Sequence, residues 1–340
     1  MRPGSQSLRR RARTWVKRRT LCAVRVRKAV LLAVLGVVAA AAALVYAKYR
    51  SDLEAARARV AIGSEVVDTR CGAIEYAVVG EGPAVLLVHG MGGGFDQTLD
   101  AARDLASRGF RVVAPSRFGY LRTPQRADAT PQAQADAHAC LLDALRIPRA
   151  AIVGVSAGAP SSLQFALRHP LRCSALVLLV PMAYSPEMAA RFPPPSAGSR
   201  WLFEHLVDSD FFFWLAAHGS PQRMLGTPSE VLGRADESER ARFARLVLQP
   251  LPVSVRREGM LNDATVVTHL QRYDLEHVAL PTLAISAADD GFGTFDAALY
   301  TAQHIPGARL LSLRDGGHLW VGHHREVMGE IAAFLTGNAR

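Results

Sequence analysis

No acidic residue occurs among the first 28 positions of this chain, where eleven basic ones stand: Arg2, Arg9, Arg10, Arg11, Arg13, Lys17, Arg18, Arg19, Arg25, Arg27 and Lys28. The formal net charge of +10 over 340 residues therefore belongs to one tail, and the remainder is close to neutral. A nucleic-acid partner for the folded body has no support, because such binding needs basic groups on the body itself. Cysteine is scarce too. Cys22, Cys71, Cys140 and Cys173 are too few for a disulfide scaffold, and no C-x-x-C pair is present. Cys140 falls in a helical pattern and Cys173 just before an apolar strand, so both are expected as small buried apolar residues. Metal-ligand spacing and internal repeats are also missing, and neither a metal nor an organic cofactor is expected.

Charge is absent altogether from AVLLAVLGVVAAAAALVYA, residues 29–47. A run of this length crosses a bilayer core as a helix, and a buried core helix would show a polar face. Secretory leaders carry a shorter apolar region of about 7–15 residues. An uncleaved transmembrane anchor is the expectation, with a cleaved signal as its alternative, since AAAALVYA offers small residues for cleavage. Arg18 and Arg19 stand too far back for twin-arginine export. Only Lys48 and Arg50 follow the run directly, so the positive-inside rule puts residues 1–28 in the cytoplasm and the body on the far side.

Residues 48–63 are mixed in charge and Ala-rich, and suit a short helical stalk. Beyond them SEVVDT and AIEYAVVG alternate as two antiparallel strands would. AVLLVHG, RVVAPS, AAIVGVS, ALVLLV, TLAISAA and ARLLSLR are short, β-rich and apolar on both faces, as strands covered by helices on both sides must be. Helical stretches lie between and after them: FDQTLDAARDLASRG, PQAQADAHACLLDALRI, AGAPSSLQFALRH and HREVMGEIAAFLTG. In the second, Ala137, Cys140, Leu141 and Leu145 recur at helical spacing. The alternation predicts an α/β fold with an open, mostly parallel sheet. Residues 185–265 lack strands and carry prolines, aromatics and a charged run, which reads as a helical insertion dividing the body into 64–184 and 266–340.

Ser156, in AIVGVSAGAP, falls where a strand meets a helix. A serine on so sharp a turn is strained and exposed, and Gly154 and Gly158 remove the clashes that side chains there would cause. LLVHGMGGG ends an earlier strand, and its glycines permit close backbone approach. The amides of Met91 and Ala157 can together form an oxyanion hole; His89 and Gly90 support that loop. A serine needs a base, and the base an orienting acid. AADDGFG offers Asp289 and Asp290 after one strand, and DGGHLW offers His318 after the next. Asp290 is preferred over Asp289, with Asp296 third; His323 and His324 fit a capping or exposed role.

HGMGGG, GVSAG, SAADDGF and GGH, in this order, resemble the α/β-hydrolase family from about residue 64 to 340. PSRFGYLRTP and LRHPLRCSALVLL are similar to further family segments. The resemblance implies eight strands, mostly parallel and flanked by helices, with a helical cap inserted after the sixth. It implies Ser156 as nucleophile, His318 as base, Asp290 as acid, and Met91 with Ala157 as oxyanion donors. Ala287 stands where a glycine is common, and a serine nucleophile speaks against the epoxide-hydrolase and haloalkane-dehalogenase branches.

The expected activity is that of a membrane-anchored serine hydrolase acting on a carboxylic ester, a small molecule or a lipid, through a covalent acyl-enzyme. The same residues also serve carbon–carbon bond hydrolases, lactonases, peptidases and cofactor-free haloperoxidases, and a catalytically silent binding module is a further alternative. Trp201, Phe203, Phe211, Phe212, Phe213 and Trp214 are expected either to line an acyl pocket or, for most of them, to pack the cap onto the core.

Overall fold

The computed structural model describes the backbone of residues 5–338, with side chains for 27, 28 and 30–338. Cys22 and the basic side chains of the tail as far as Arg25 lie outside the described residues. Met1–Glu54 and Ala55–Arg340 form two compact units. The long helix α1 (Ser5–Val60) begins in the first and ends in the second. Its segment Val30–Val60 is long and apolar enough to cross a membrane, and Leu31, Leu32, Val34 and Leu35 along it are exposed. Beyond the apolar run, Lys48 with Asp52 and Arg50 with Glu54 form ion pairs one helical turn apart, which favour the helix.

The second unit is built on a sheet of eight strands: β1 (Glu65–Thr69), β2 (Gly72–Val79), β3 (Ala84–Val88), β4 (Arg111–Pro115), β5 (Ala150–Val155), β6 (Cys173–Leu179), β7 (Thr282–Ala287) and β8 (Arg309–Leu313). Their spatial order is β1-β2-β4-β3-β5-β6-β7-β8. The pairs β1/β2 and β2/β4 are antiparallel and all others parallel. Alternate residues of the inner strands feed two separate cores. Val85, Leu87, Val112, Val153, Val177 and Ile285 face one side, and Leu86, Val88, Val113, Ile152, Leu176 and Leu178 the other. Each fully buried aliphatic side chain contributes about 1.5–3 kcal/mol, so strands covered on both faces carry apolar residues at nearly every position.

Helix α2 (Leu99–Ser107) covers the first side, while α3 (Pro131–Ala144) and α4 (Ala159–Arg168) cover the second. The start of α3 is fixed by Pro131 in its first turn and by the Thr130 side chain, which accepts the Ala133 amide. Ala137, Cys140 and Leu141 of α3 are buried; Leu145, just past its end, is half-buried. Seven helices then separate β6 from β7: α5 (Pro186–Arg191), α6 (Ala197–Asp208), α7 (Asp210–Gly219), α8 (Pro221–Met224), α9 (Ser229–Arg234), α10 (Glu237–Leu248) and α11 (Arg257–Val267). After β7 comes α12 (Thr294–His304), which the sequence reading does not contain. Its buried residues are Thr294, Ala297, Ala298 and Thr301, small side chains that give almost no apolar periodicity. Helix α13 (His324–Gly337) closes the first core with Val327, Met328 and Ile331.

One cysteine expectation is corrected. Cys140 is not simply a small packed residue: it is disulfide-bonded to Cys71, tying α3 to the β1–β2 hairpin. The two lie 69 positions apart, and no local spacing rule pairs them. Cys173 is a buried free thiol, and burial pushes it up to about 12.

Candidate active site

Strand β5 runs in extended conformation to Val155 and then turns sharply, with Ser156 at φ +50°. A left-handed serine is strained, and the surrounding packing has to hold it there. A Cβ on Gly154 would lie 2.8 Å from Ser162 Cβ, and one on Gly158 would lie 2.7 Å from the His89 carbonyl oxygen. Only glycine fits at either position, so the chain can pass from strand to α4 in a single 3-10 turn, Ser156–Gly158.

His318 arrives from the loop after β8, and its Nε2 stands 2.9 Å from Ser156 Oγ. Its Nδ1 is 2.8 Å from Asp290 Oδ2, on the loop after β7. Asp290 Oδ1 accepts the Phe292 amide at 2.8 Å, and the Thr294 hydroxyl donates to Oδ2. Burial raises the Asp290 carboxyl, but His318 and the donors from Thr294 and Phe292 outweigh it and hold the group below its ordinary value. An ionised Asp290 keeps the histidine proton on Nδ1 and leaves Nε2 open to the serine proton. Its neighbour faces elsewhere. Asp289 accepts the amides of Gly317 (2.8 Å) and Gly316 (3.3 Å) and caps the turn that presents His318. Asp296 stands 3.7 Å from Arg191, with both groups partly exposed.

The loop after β3 lies against the serine. A Cβ on Gly90 would be 3.1 Å from Ser156 Cβ. Within the described residues, the amides of Met91 and Ala157 donate no hydrogen bond, which leaves both able to receive a ligand oxygen. His89 is fully buried. Its Nε2 accepts the Arg117 amide at 2.9 Å, and its Nδ1 donates to the Gly90 carbonyl at 2.7 Å. Burial, with Arg117 nearby, lowers it well below the ordinary histidine value, so it is a neutral strut. His323 pairs with Asp315 and Glu326, and His324 with Asp104. Among the described residues no group of three or more His, Cys, Asp or Glu side chains is arranged to hold a metal ion.

Four further residues support the site without a local signal in the sequence: Gly226, Arg117, Asp263 and Tyr120. Gly226, in the cap at φ +52°, accepts the amides of Gly291 (2.9 Å) and His318 (3.1 Å), joining the loop after β7 to the loop after β8. Its local sequence, L-G-T-P, signals only a turn. Arg117 forms a two-pronged pair with Asp263 of α11 at 2.7 and 2.6 Å. Tyr120 donates its hydroxyl to that carboxylate at 2.5 Å and accepts the Gly92 amide at 3.3 Å. The contacts to Asp263 join residues more than 140 positions apart, and no motif announces them. Of the cap aromatics, Phe213 and Trp214 are buried, while Trp201 and Phe212 are each 58 % exposed. The packing expectation therefore fails for the latter two, and neither can line an enclosed pocket.

The buried His138, 3.4 Å from the Ser161 hydroxyl, makes stability depend on pH. Burial, with Arg117 and His169 nearby, lowers it from 6.5 to about 3. Between those values the unfolded chain binds the extra proton, so stability is lost as pH falls through that window. His138→Gln is expected to flatten the dependence by up to about 1.4 kcal/mol per pH unit. Chemical unfolding at pH 4, 5 and 6 measures it, and an unchanged slope would contradict a neutral His138.

The chain matches the family described as alpha/beta hydrolase fold over residues 83–321, and it belongs to that family. The hydrolase YcgS of Bacillus subtilis (strain 168) is 26% identical over 270 residues, 76% of this chain and 93% of its own. The 2-hydroxymuconate semialdehyde hydrolase of Pseudomonas putida is 31% identical over 271 residues, 76% of this chain and 89% of its own. Among solved structures, an α/β-hydrolase fold protein from Nakamurella multipartita aligns with TM-score 0.62 and 27% identity, covering 80% of this chain and 98% of its own. The protein is a hydrolase.

Proposed function

We propose that this hydrolase is membrane-anchored and cleaves carboxylic esters through a covalent acyl-enzyme on Ser156. One observation carries the reading: the unbroken line Asp290–His318–Ser156, at 2.8 and 2.9 Å, ends beside two amides that donate no hydrogen bond among the described residues. His318 Nε2 takes the serine proton as Oγ attacks the ester carbonyl. The Met91 and Ala157 amides receive the oxygen on which charge develops. His318 then protonates the departing alkoxide, and a water activated by the same nitrogen releases the acid. Gly226, Asp289 and Thr294 keep the acid and base loops in register.

A second reading has specific support. The Pseudomonas putida relative is named for hydrolysis of 2-hydroxymuconate semialdehyde, and a carbon–carbon bond hydrolase would use the same three side chains. Membrane anchoring is supported by the apolar helix and the basic tail before it. An extracytoplasmic body is supported by the Cys71–Cys140 bridge, since such bonds persist in oxidising compartments. The exposed Trp201 and Phe212 of the cap favour lipid esters among the ester substrates.

Labelling of the membrane fraction with a fluorophosphonate, wild type against Ser156→Ala, is the test. Full-length labelling lost in the variant supports an activated serine on an uncleaved anchor; unlabelled, folded wild type overturns the reading. Turnover of p-nitrophenyl esters, monoacylglycerols and a vinylogous 1,5-diketone by the labelled protein then separates ester from carbon–carbon cleavage.

A further inference from the structure

We propose that Arg59, in the last turn of α1, is a positioning residue for the oxyanion loop; this rests on the reading of Met91 and Ala157 as oxyanion donors. The loop closes on itself with one backbone bond, from the Gly93 amide to the Gly90 carbonyl at 3.2 Å, and Tyr120 accepts the Gly92 amide at 3.3 Å. Residues 92–94 are glycines, with φ of +71° at Gly92 and +156° at Gly94, and such backbone has wide conformational freedom. The Met91 peptide is fixed further by Gln97, whose Oε1 accepts the Gly90 amide at 2.9 Å and whose Nε2 donates to the Met91 carbonyl at 3.3 Å. Gln97 sits in the 3-10 turn Phe95–Thr98. What holds that turn therefore helps to hold Met91.

The turn is held through Asp96. Its side chain is fully buried and faces two guanidiniums. Arg256, also fully buried, donates to Asp96 Oδ1 at 3.0 Å and Oδ2 at 2.9 Å, and to the Gly93 carbonyl. Arg59 Nε donates to Asp96 Oδ2 at 3.0 Å. Its Nη2 reaches the carbonyls of Gln249 at 2.9 Å and Leu251 at 2.6 Å, where the chain leaves α10. Gln249 closes the ring by donating to the Asp96 carbonyl at 2.9 Å. Burial raises the Asp96 carboxyl, but the two arginines outweigh it and keep the group ionised. Three segments remote in sequence thus converge on one carboxylate a single residue before Gln97. Arg59 lies outside the stretch 83–321 that matches the family, so a hydrolase core trimmed to that stretch lacks this tie.

The test uses the full chain in detergent, with active sites counted by fluorophosphonate titration and an ester that the wild type turns over. Deleting one oxyanion donor costs about 10²–10³ in rate, and loosening one is expected to cost less. Arg59→Ala should lower kcat per titrated site about tenfold, leave KM within about twofold, and weaken inhibition by a trifluoromethyl ketone in proportion to kcat. A ketone adduct carries the oxyanion, so a merely destabilised protein would lose titratable sites but neither kcat per site nor inhibitor affinity. Arg59→Lys, which keeps the charge, should recover part of the loss. Wild-type kcat per site in Arg59→Ala overturns the proposal. If that variant does not fold, Arg59→Gln takes its place with the same criterion. Failure of the underlying reading looks different: the wild type is then not labelled, or Ser156→Ala stays active, and the proposal falls with it.

Discussion

Ser156→Ala is expected to lower kcat about 10⁶-fold, and His318→Ala by a similar factor, with the double variant no worse than either alone. The reason is that the two side chains act as one unit: without its acceptor the hydroxyl keeps its proton, and without the hydroxyl the acceptor has nothing to activate. Asp290→Asn should cost about 10⁴, because an amide at Oδ2 no longer holds the proton on His318 Nδ1. Asp289→Asn should cost far less, since that carboxylate reaches only the amides of Gly316 and Gly317. Steady-state rates of the five purified variants on one ester check the set. Equal losses at the two aspartates would sink the assignment of Asp290 as the acid, and a Ser156→Ala enzyme above about one hundredth of wild-type rate would sink the covalent route.

Asp263→Ala is expected to destabilise the body by about 3–5 kcal/mol, a fall in Tm of about 10 °C for a chain of this size. The Arg117 and Asp263 side chains are 6% and 3% exposed, so the arginine left behind cannot be rehydrated. The same carboxylate accepts the Tyr120 hydroxyl, and Tyr120 in turn accepts the Gly92 amide, so catalysis should fall along with stability. Arg117→Met with Asp263→Leu should recover much of the stability, because replacing a buried ion pair by apolar groups costs far less than breaking it. Thermal unfolding of the single and double variants decides this, and a single-variant loss below about 1 kcal/mol would mean that water reaches the pair.

Much of this was legible from residue order alone, and the parts that were not share a cause. Each sheet strand is a short apolar run, and burial on both faces of a parallel sheet demands such runs. Gly154 and Gly158 could be read from the sequence because a steric requirement falls on two fixed neighbours of Ser156. By contrast, Asp289 and Asp290 are adjacent, and only the turn after β7 determines which carboxylate meets His318 Nδ1 and which caps the preceding loop. Helix α12 buries mainly alanine and threonine and so has little hydrophobic signature. The Cys71–Cys140 bond and the Arg59–Asp96–Arg256 cluster are meetings of distant segments. Nothing within a local window of sequence distinguishes such an arginine from one on a solvated surface.

The disulfide also has a topological meaning. Between Cys71 and Cys140 lie β2, β3, the glycine loop, β4 and most of α3, so the bond encloses Met91 within a covalent ring. Ser156, Asp290 and His318 all lie outside that ring, further along the chain. The Met91 amide thus belongs to a closed macrocycle, while the Ala157 amide and the side chains of Ser156, Asp290 and His318 hang from a linear chain. A single peptide-bond cut inside the ring, for instance in the exposed stretch around Asp128, would leave the polypeptide in one piece, whereas a cut in the cap would sever Ser156 from Asp290 and His318.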